Sequence, residues 1–212
     1  MTHPDLSSTL FHFVDRARPT GNEVPDEIRA MGAAQRLESI LTQNAISAFV
    51  TFSGGDPAVC MTEASWAGVQ HLIEDRGQAP WALMFDRQAV YDAGGGPVWY
   101  ARPHELERLK EVPGLRTWAV KFSADSDWSH EREWRIPRSV GAECGAPSIP
   151  LSELGLCGVI VGDPDWDCRI LAHNPHLGDG SEATHWDFEL VRSMDGIPRY
   201  WWNSCECRFE RL

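Results

Sequence analysis

The sequence predicts an α+β fold in which strands outnumber helices and the helices cluster in the N-terminal half. Short apolar runs typical of strands recur along the chain, as at residues 9–14, 81–85 and 156–161. Apolar residues at helical spacing are concentrated in residues 26–43 and 64–74. Because strands and helices do not alternate regularly, the pattern favours an α+β arrangement over repeated βαβ units.

The individual elements follow from the same patterns, taken in chain order. Strands are predicted at residues 9–14, 49–52, 58–61, 81–85, 98–100, 117–123, 130–137 and 156–161, and helices at 33–42, 64–74 and 105–110. Asn44 is expected to end the first of these helices. After Asp187 the chain alternates between apolar and polar residues, which predicts a hairpin around Asp195 and Gly196.

The composition limits the classes of protein to which the chain can belong. With 212 residues, of which 42% are hydrophobic and 24% charged, a single domain over residues 1–212 is expected. A net charge of -12 argues against a broad basic face that coats duplex nucleic acid, although it permits a local groove or pocket. No apolar run reaches the roughly 18 residues of a membrane span, and no secretory signal is visible, so a cytoplasmic location is expected.

The cysteine and histidine positions do not predict a metal site. Six cysteines are scattered without the spacing of a disulfide framework, which favours reduced thiols. Cys205 and Cys207 would point to opposite faces of a strand, and His173 and His176 lie in a loop-like segment. The chain also lacks the phosphate-loop, Rossmann and zincin motifs.

The most informative segment is His130-Glu131-Arg132-Glu133-Trp134-Arg135-Ile136-Pro137. Read as a strand, it places Glu131, Glu133 and Arg135 on one face, and it directs Trp134 and Ile136 toward the core. Residues two apart on a strand are separated by about 6.5–7 Å, so two carboxylates could hold one substrate and shift each other's pKa. The alternative interpretation is a solvated edge strand that carries charges of both signs.

Further segments contain candidate site residues, each with a structural alternative. His12 lies on an apolar strand, where the alternative is a buried histidine that is hydrogen-bonded to backbone. Thr62 follows a strand and precedes a helix, so it is also a candidate helix N-cap. Arg87 could bind phosphate or form a surface ion pair. Cys60 is a candidate nucleophile, but without an identifiable histidine–asparagine pair a buried thiol is favoured.

In their order and spacing, several of these segments resemble a known family. They are Leu10-Phe11-His12-Phe13, Arg36-Leu37-Glu38-Ser39-Ile40-Leu41, Val59-Cys60-Met61-Thr62-Glu63, Phe85-Asp86-Arg87, Pro97-Val98-Trp99-Tyr100 and Glu131-Arg132-Glu133-Trp134-Arg135-Ile136. The pattern resembles the AbiGi-type abortive-infection family of bacterial phage-resistance proteins and, more distantly, the DarT group of nucleic-acid ADP-ribosyltransferases. The resemblance covers about residues 9–163 and leaves residues 164–212 as a C-terminal extension.

The resemblance implies an ADP-ribosyltransferase-like fold, with mixed and antiparallel sheets, and NAD as a substrate without a metal. Glu133 would then bind the 2′-hydroxyl of the nicotinamide ribose and stabilise the oxocarbenium-like transition state. Glu131 would orient the acceptor nucleophile or help to deprotonate it. A fixed carboxylate in a water-poor pocket and an oriented acceptor are the main requirements of this chemistry.

The same resemblance implies a set of cofactor-binding residues. His12 would fix the NAD ribose from the first strand, and Phe13 beside it belongs to the same set. Thr62 would lie against the nicotinamide ribose, and Arg87 would contact the pyrophosphate. One of the ten tryptophans would stack on the nicotinamide ring.

The resulting expectation is a mono-ADP-ribosyltransferase, a toxin or phage-defence effector that modifies nucleic acid or protein and has a possible antitoxin as partner. A non-catalytic interaction or antitoxin-like protein on the same scaffold is the alternative, with a tryptophan-rich surface as its binding face. A glycoside hydrolase built on Glu131 and Glu133 is disfavoured, because such enzymes place their two carboxylates across the scissile bond.

Overall fold

The computed structural model describes residues 6–15, 24–51, 54–109, 111–112, 114–125, 127–138, 146–166, 169–173, 188–192 and 196–212. The strands within these ranges are β1 (Thr9–Phe13), β2 (Ala45–Ser47), β3 (Ala58–Thr62), β4 (Ala82–Asp86), β5 (Gly96–Pro97), β6 (Trp99–Ala101), β7 (Ala119–Lys121), β8 (Glu133–Pro137), β9 (Ser148–Pro150), β10 (Leu156–Val161), β11 (Arg169–His173), β12 (Phe188–Arg192), β13 (Arg199–Asn203) and β14 (Arg208–Arg211). The α-helices are α1 (Asp26–Arg29), α2 (Ala33–Gln43), α3 (Trp66–Glu74), α4 (Arg87–Asp92), α5 (Pro103–Leu109) and α6 (Leu151–Leu154).

An eight-stranded mixed sheet forms the centre of the fold, in the order β14-β13-β10-β4-β1-β3-β8-β5. Its neighbouring strands are antiparallel except for β10 and β13, which run parallel. Three two-stranded sheets pair β2 with β9, β6 with β7, and β11 with β12. The predicted α+β class is therefore confirmed. The described helices extend from residue 26 to residue 154, so their predicted clustering in the N-terminal half is not supported.

Side chains from the two faces of the main sheet enter separate hydrophobic clusters, as expected from the alternation along a strand. On one face, α2, α4 and α6 pack over Leu10, Met61, Leu83, Trp134 and Ile136. On the other face, α3 packs over a smaller cluster, whose strand residues are Phe11, Ala82, Met84 and Ile160. The face on which a residue lies therefore decides which helices it can contact.

Several helix boundaries follow from local capping. Asn44 adopts the left-handed conformation with φ of 50° and ends α2, as the sequence predicted. The side chain of Ser65 accepts a hydrogen bond from the Gly68 amide and caps α3. The interpretation of Thr62 as the N-cap is therefore wrong, because Thr62 is the last residue of β3.

The C-terminal segment joins the main sheet. Strands β13 and β14 form a hairpin, and β13 pairs in parallel with β10. The predicted hairpin around Asp195 and Gly196 is wrong: β12, which precedes these residues, pairs with β11, and Asp195 itself lies outside the described residues. The predicted strand at 49–52 is also absent from the described part, where Phe49 makes only an isolated bridge to Ala58.

None of the helices in the described ranges combines the length and the apolar character needed to cross a membrane.

Candidate functional site

Strand β8 begins three residues later than predicted. Residues Ser129–Glu131 form a 3-10 helix, and Arg132 has φ of 44°. This left-handed residue ends the extended alternation, because a strand requires φ near -120°. The prediction that Glu131 shares a strand face with Glu133 is therefore wrong, whereas the core positions of Trp134 and Ile136 are confirmed at 3% and 0% exposure.

Glu133 is the first residue of β8, and its carboxylate is fixed from one side. The Nε of Arg135 donates a 2.8 Å hydrogen bond to its Oε1, and the two side chains are 4% and 12% exposed. The alternative of a solvated edge strand is wrong, because Arg135 is buried and β5 pairs with β8.

Tyr100, in β6, holds the backbone of Glu133. Its hydroxyl oxygen accepts a 2.8 Å hydrogen bond from the amide of Glu133. Burial, followed by the negative charges of Glu133 and Glu131, raises the pKa of Tyr100 to about 12, although the Glu133 amide and the positive charge of Arg135 oppose the shift. The hydroxyl therefore stays protonated over the ordinary pH range and can donate its own proton to a neighbouring acceptor.

Thr62 lies directly across from Glu133 in the β3–β8 ladder, so their side chains share one face of the sheet. Thr62 is buried, and its hydroxyl donates a hydrogen bond to the carbonyl oxygen of Glu131. Glu131 is itself 9% exposed. The structure thus brings together three of the predicted residues, although Glu131 reaches the group from a 3-10 turn.

Glu63 forms a second charged group on the opposite face, beside Trp134. Its side chain is 7% exposed, and its Oε2 accepts a 3.0 Å hydrogen bond from Nε1 of Trp134. Nε of Arg87 and Nη2 of Arg132 lie 3.7 and 3.8 Å from its Oε1. A buried carboxylate needs such compensation, because removing its charge from water is costly.

Arg87 is the first residue of α4, and its guanidinium lies 5.0 Å from the centroid of the Trp134 ring. Strand β4 ends at Asp86, directly before Arg87. The ladder registers show that this end of β4 lies at the same edge of the sheet as the end of β3 and the start of β8. Arg87 therefore lies at the same end of the sheet as Glu133. The surface ion pair that the sequence offered as an alternative is replaced by contacts to a buried glutamate and a buried indole.

His12 is separated from Glu133 by the sheet. It pairs across the β1–β4 ladder with Leu83, which belongs to the cluster under α2, whereas Thr62 and Glu133 lie on the α3 side. Its Nδ1 donates a 2.7 Å hydrogen bond to the carbonyl oxygen of Cys60, since a carbonyl can only accept. Burial lowers the pKa of His12, and this hydrogen bond partly opposes the shift.

Phe13 is the next residue of β1 and packs against the hydrophobic cluster under α3. It therefore faces away from His12, as alternation along a strand requires. The two predicted cofactor residues on β1 do not share one face. The contacts of His12 match the structural alternative of a histidine bonded to backbone.

A cavity of about 540 Å³ opens elsewhere, at the start of α5. Arg102, Phe122 and Asp127 are among its lining residues, and none of the predicted site residues lines it. Within the described ranges, no group of three or more histidine, cysteine or acidic side chains could hold a metal ion. His176 lies outside these ranges.

Sequence reasoning did not assign roles to Tyr100 and Glu63 in the candidate site. Tyr100 belongs to a short apolar run in which nothing distinguishes a residue that binds a distant amide from a core residue. Glu63 offered a signal, because an acidic residue directly after a buried strand requires a partner. Its partners Trp134 and Arg132 come about 70 residues later in the chain, and a single sequence does not identify such a pairing.

The comparisons with known proteins identify no relative. No family model matches the chain, and neither a curated protein nor a solved structure matches it.

Proposed function

We propose that the protein is an NAD-dependent mono-ADP-ribosyltransferase, a toxin or phage-defence effector, with Glu133 as its catalytic carboxylate. Cleavage of the bond between nicotinamide and ribose leaves positive charge on the ribose, which a fixed carboxylate stabilises. The observation that carries the proposal is the environment of Glu133. The Nε of Arg135 donates to one of its carboxylate oxygens, and the side chain is only 12% exposed, so a negative charge is held in place in a largely buried position.

The proposal includes an ADP-ribosyltransferase-like fold, with NAD as substrate and no metal. The mixed eight-stranded sheet is compatible with that fold. Thr62 and Arg87 remain the proposed contacts to NAD. Thr62 shares a sheet face with Glu133, whereas Arg87 lies at the same end of the sheet but beside Trp134 on the other face. The acceptor is nucleic acid or protein, and Glu131 would orient it from the turn that precedes β8.

The test is nicotinamide release from NAD by the purified protein and by its Glu133→Gln variant. Glutamine preserves the shape of the side chain and an oxygen that can accept from Arg135, but it removes the charge. We expect release to fall by about 100-fold or more, since losing one preorganised electrostatic contact costs this much in other enzymes. Glu74→Gln is the matched control, because Glu74 is an exposed residue of α3.

The reaction is run with and without cell lysate, so that an acceptor is available if transfer requires one. Full activity of Glu133→Gln would overturn the assignment of Glu133. Absence of release from the parent protein under both conditions would overturn the proposed reaction.

A non-catalytic interaction protein is the second candidate. It is favoured by the separation of His12 and Glu133 on opposite faces of the sheet, since a cofactor site would have to gather them. Two tryptophans, the residue type that most often anchors a protein interface, are exposed, with Trp99 at 52% and Trp66 at 41%. Thermal stabilisation by NAD distinguishes the two candidates, because a ligand that binds only the folded state raises its stability.

A further inference from the structure

The last residue of β3 and the residue after it bind the segment that leads into β8. The hydroxyl of Thr62 donates to the carbonyl oxygen of Glu131, and the amide of Glu63 donates a 3.1 Å hydrogen bond to the carbonyl oxygen of Arg132. The side chain of Glu63 then accepts the 3.0 Å hydrogen bond from the indole of Trp134. Two adjacent residues thus hold three of the four residues from 131 to 134.

This segment needs such contacts because its own backbone conformation is unfavourable. Arg132 has φ of 44°, which is uncommon for a residue with a long side chain. The 3-10 turn before it is a single turn, and such turns have weaker hydrogen-bond geometry than an α-helix. The conformation therefore depends on contacts from β3.

Glu63 contributes charge as well as hydrogen bonds. Its carboxylate lies between the guanidinium groups of Arg87 and Arg132, at 3.7 and 3.8 Å. These distances exceed those of hydrogen bonds, and Oε1 of Glu63 and Nε of Arg87 are both buried without a hydrogen-bond partner in the described part of the chain. Each guanidinium attracts the carboxylate, and the hydrogen bond from the indole of Trp134 orients it.

We infer that Glu63 is a positioning residue, which sets the place of Glu133 from the opposite face of the sheet. Glu63 fixes the residues on both sides of Glu133, namely Arg132 through its backbone and Trp134 through its indole. Arg132, whose φ is 44°, joins the 3-10 turn to β8. Loss of the Glu63 side chain removes the indole hydrogen bond and the charge beside Arg132, while the bond from the Glu63 amide to Arg132 remains, so the segment that carries the catalytic carboxylate is held less firmly. This inference rests on the proposed function for its catalytic consequence.

The experiment compares Glu63→Ala and Glu63→Gln with the matched control Glu74→Ala, using amide hydrogen exchange and NAD hydrolysis. In Glu63→Ala we expect exchange in residues 131–134 to be about tenfold faster, because one buried hydrogen bond is lost and its donor is left unpaired. Exchange in β4 and β10 should stay at the parent rate. Glu63→Gln should restore most of the protection, since its amide oxygen can still accept from Trp134.

In the hydrolysis arm, kcat should fall in Glu63→Ala, and Glu63→Gln should recover part of it. Unchanged exchange in residues 131–134, or an equal increase throughout the sheet, overturns the inference. If Glu63→Ala does not fold, Trp134→Phe supplies the exchange measurement, because it removes the donor of the same hydrogen bond, with the same increase expected in residues 131–134. A parent protein that does not hydrolyse NAD overturns the proposed function, whereas the exchange result still decides whether Glu63 holds the segment.

Discussion

The Nε of Arg135 donates a 2.8 Å hydrogen bond to Oε1 of Glu133, two residues earlier on the same face of β8. Burial lowers the pKa of Arg135, but the charges of Glu133 and Cys60 and the hydrogen bonds to them outweigh burial. The pKa of Arg135 is therefore raised above its ordinary value. The guanidinium also donates to the carbonyl oxygen of Thr117. Arg135 therefore connects the candidate catalytic carboxylate to the chain segment before β7.

Replacing Arg135 with methionine should be strongly destabilising. The substitution leaves Glu133, which is 12% exposed, without the charge that compensates it. Breaking one partner of a buried ion pair costs about 3 kcal/mol in the free energy of unfolding. The measurement is urea denaturation of the parent protein and of Arg135→Met.

Arg208→Met is the control for this comparison, because Arg208 pairs with Glu206 at the surface and its side chain is 62% exposed. A surface pair contributes about 1 kcal/mol or less. Similar losses in the two variants would contradict the view that the Arg135 pair is special because it is buried.

Tyr100 should make the folded state sensitive to alkaline pH. Its pKa rises from 10.0 to about 12 on folding, so the unfolded chain releases the phenolic proton more readily. The stabilisation contributed by the neutral phenol is complete below about pH 10 and is lost progressively as the pH rises from there to the folded pKa of about 12. At about pH 11 the loss should be about 1 kcal/mol.

The measurement is the free energy of unfolding of the parent and of Tyr100→Phe at about pH 9 and pH 11. The phenylalanine variant should be less stable at pH 9, because the Glu133 amide loses its acceptor, and less affected by the rise to pH 11. Parallel pH profiles would show that Tyr100 is not the responsible group.

His12 should make the folded state less stable at acidic pH. Burial lowers its pKa below the unfolded value of 6.5, so protonation favours the unfolded chain. The contribution of neutral His12 is therefore complete above about pH 6.5 and decreases as the pH falls below it. His12→Asn keeps a donor for the Cys60 carbonyl without a titrating ring.

Thermal unfolding of the parent and of His12→Asn between about pH 7 and pH 5 tests this prediction. The parent should lose more stability than the variant over this interval. His104→Asn, at an exposed position of α5, should follow the parent. If His12→Asn also follows the parent, the acid sensitivity must come from other groups.

Local patterns predicted the strands of the sheet centre, because residues such as Leu10, Leu83 and Val159 repeat on a buried face. They failed at Arg132, where the left-handed backbone is maintained by contacts with Thr62 and Glu63 from a strand about 70 residues earlier. The grouping of Thr62 with Glu133 came from the resemblance, since register is a property of strand pairing that one strand alone does not encode.

The C-terminal hairpin of β13 and β14 lies beyond the residues covered by the family resemblance, yet it is packed into the main sheet. Trp202 of β13 is 5% exposed, and its ring lies 4.8 Å from that of Phe209 in β14. Trp202→Ala should lower the free energy of unfolding by about 3–5 kcal/mol, as expected for removal of a buried tryptophan. Trp99→Ala is the matched control, since Trp99 is 52% exposed, and its cost should remain below about 1 kcal/mol. Urea denaturation of both variants measures the difference. If Trp202→Ala costs as little as Trp99→Ala, the hairpin adds little to the stability of the sheet. If Trp202→Ala instead unfolds in a single cooperative transition at a lower urea concentration, β13 and β14 belong to the same folding unit as β10.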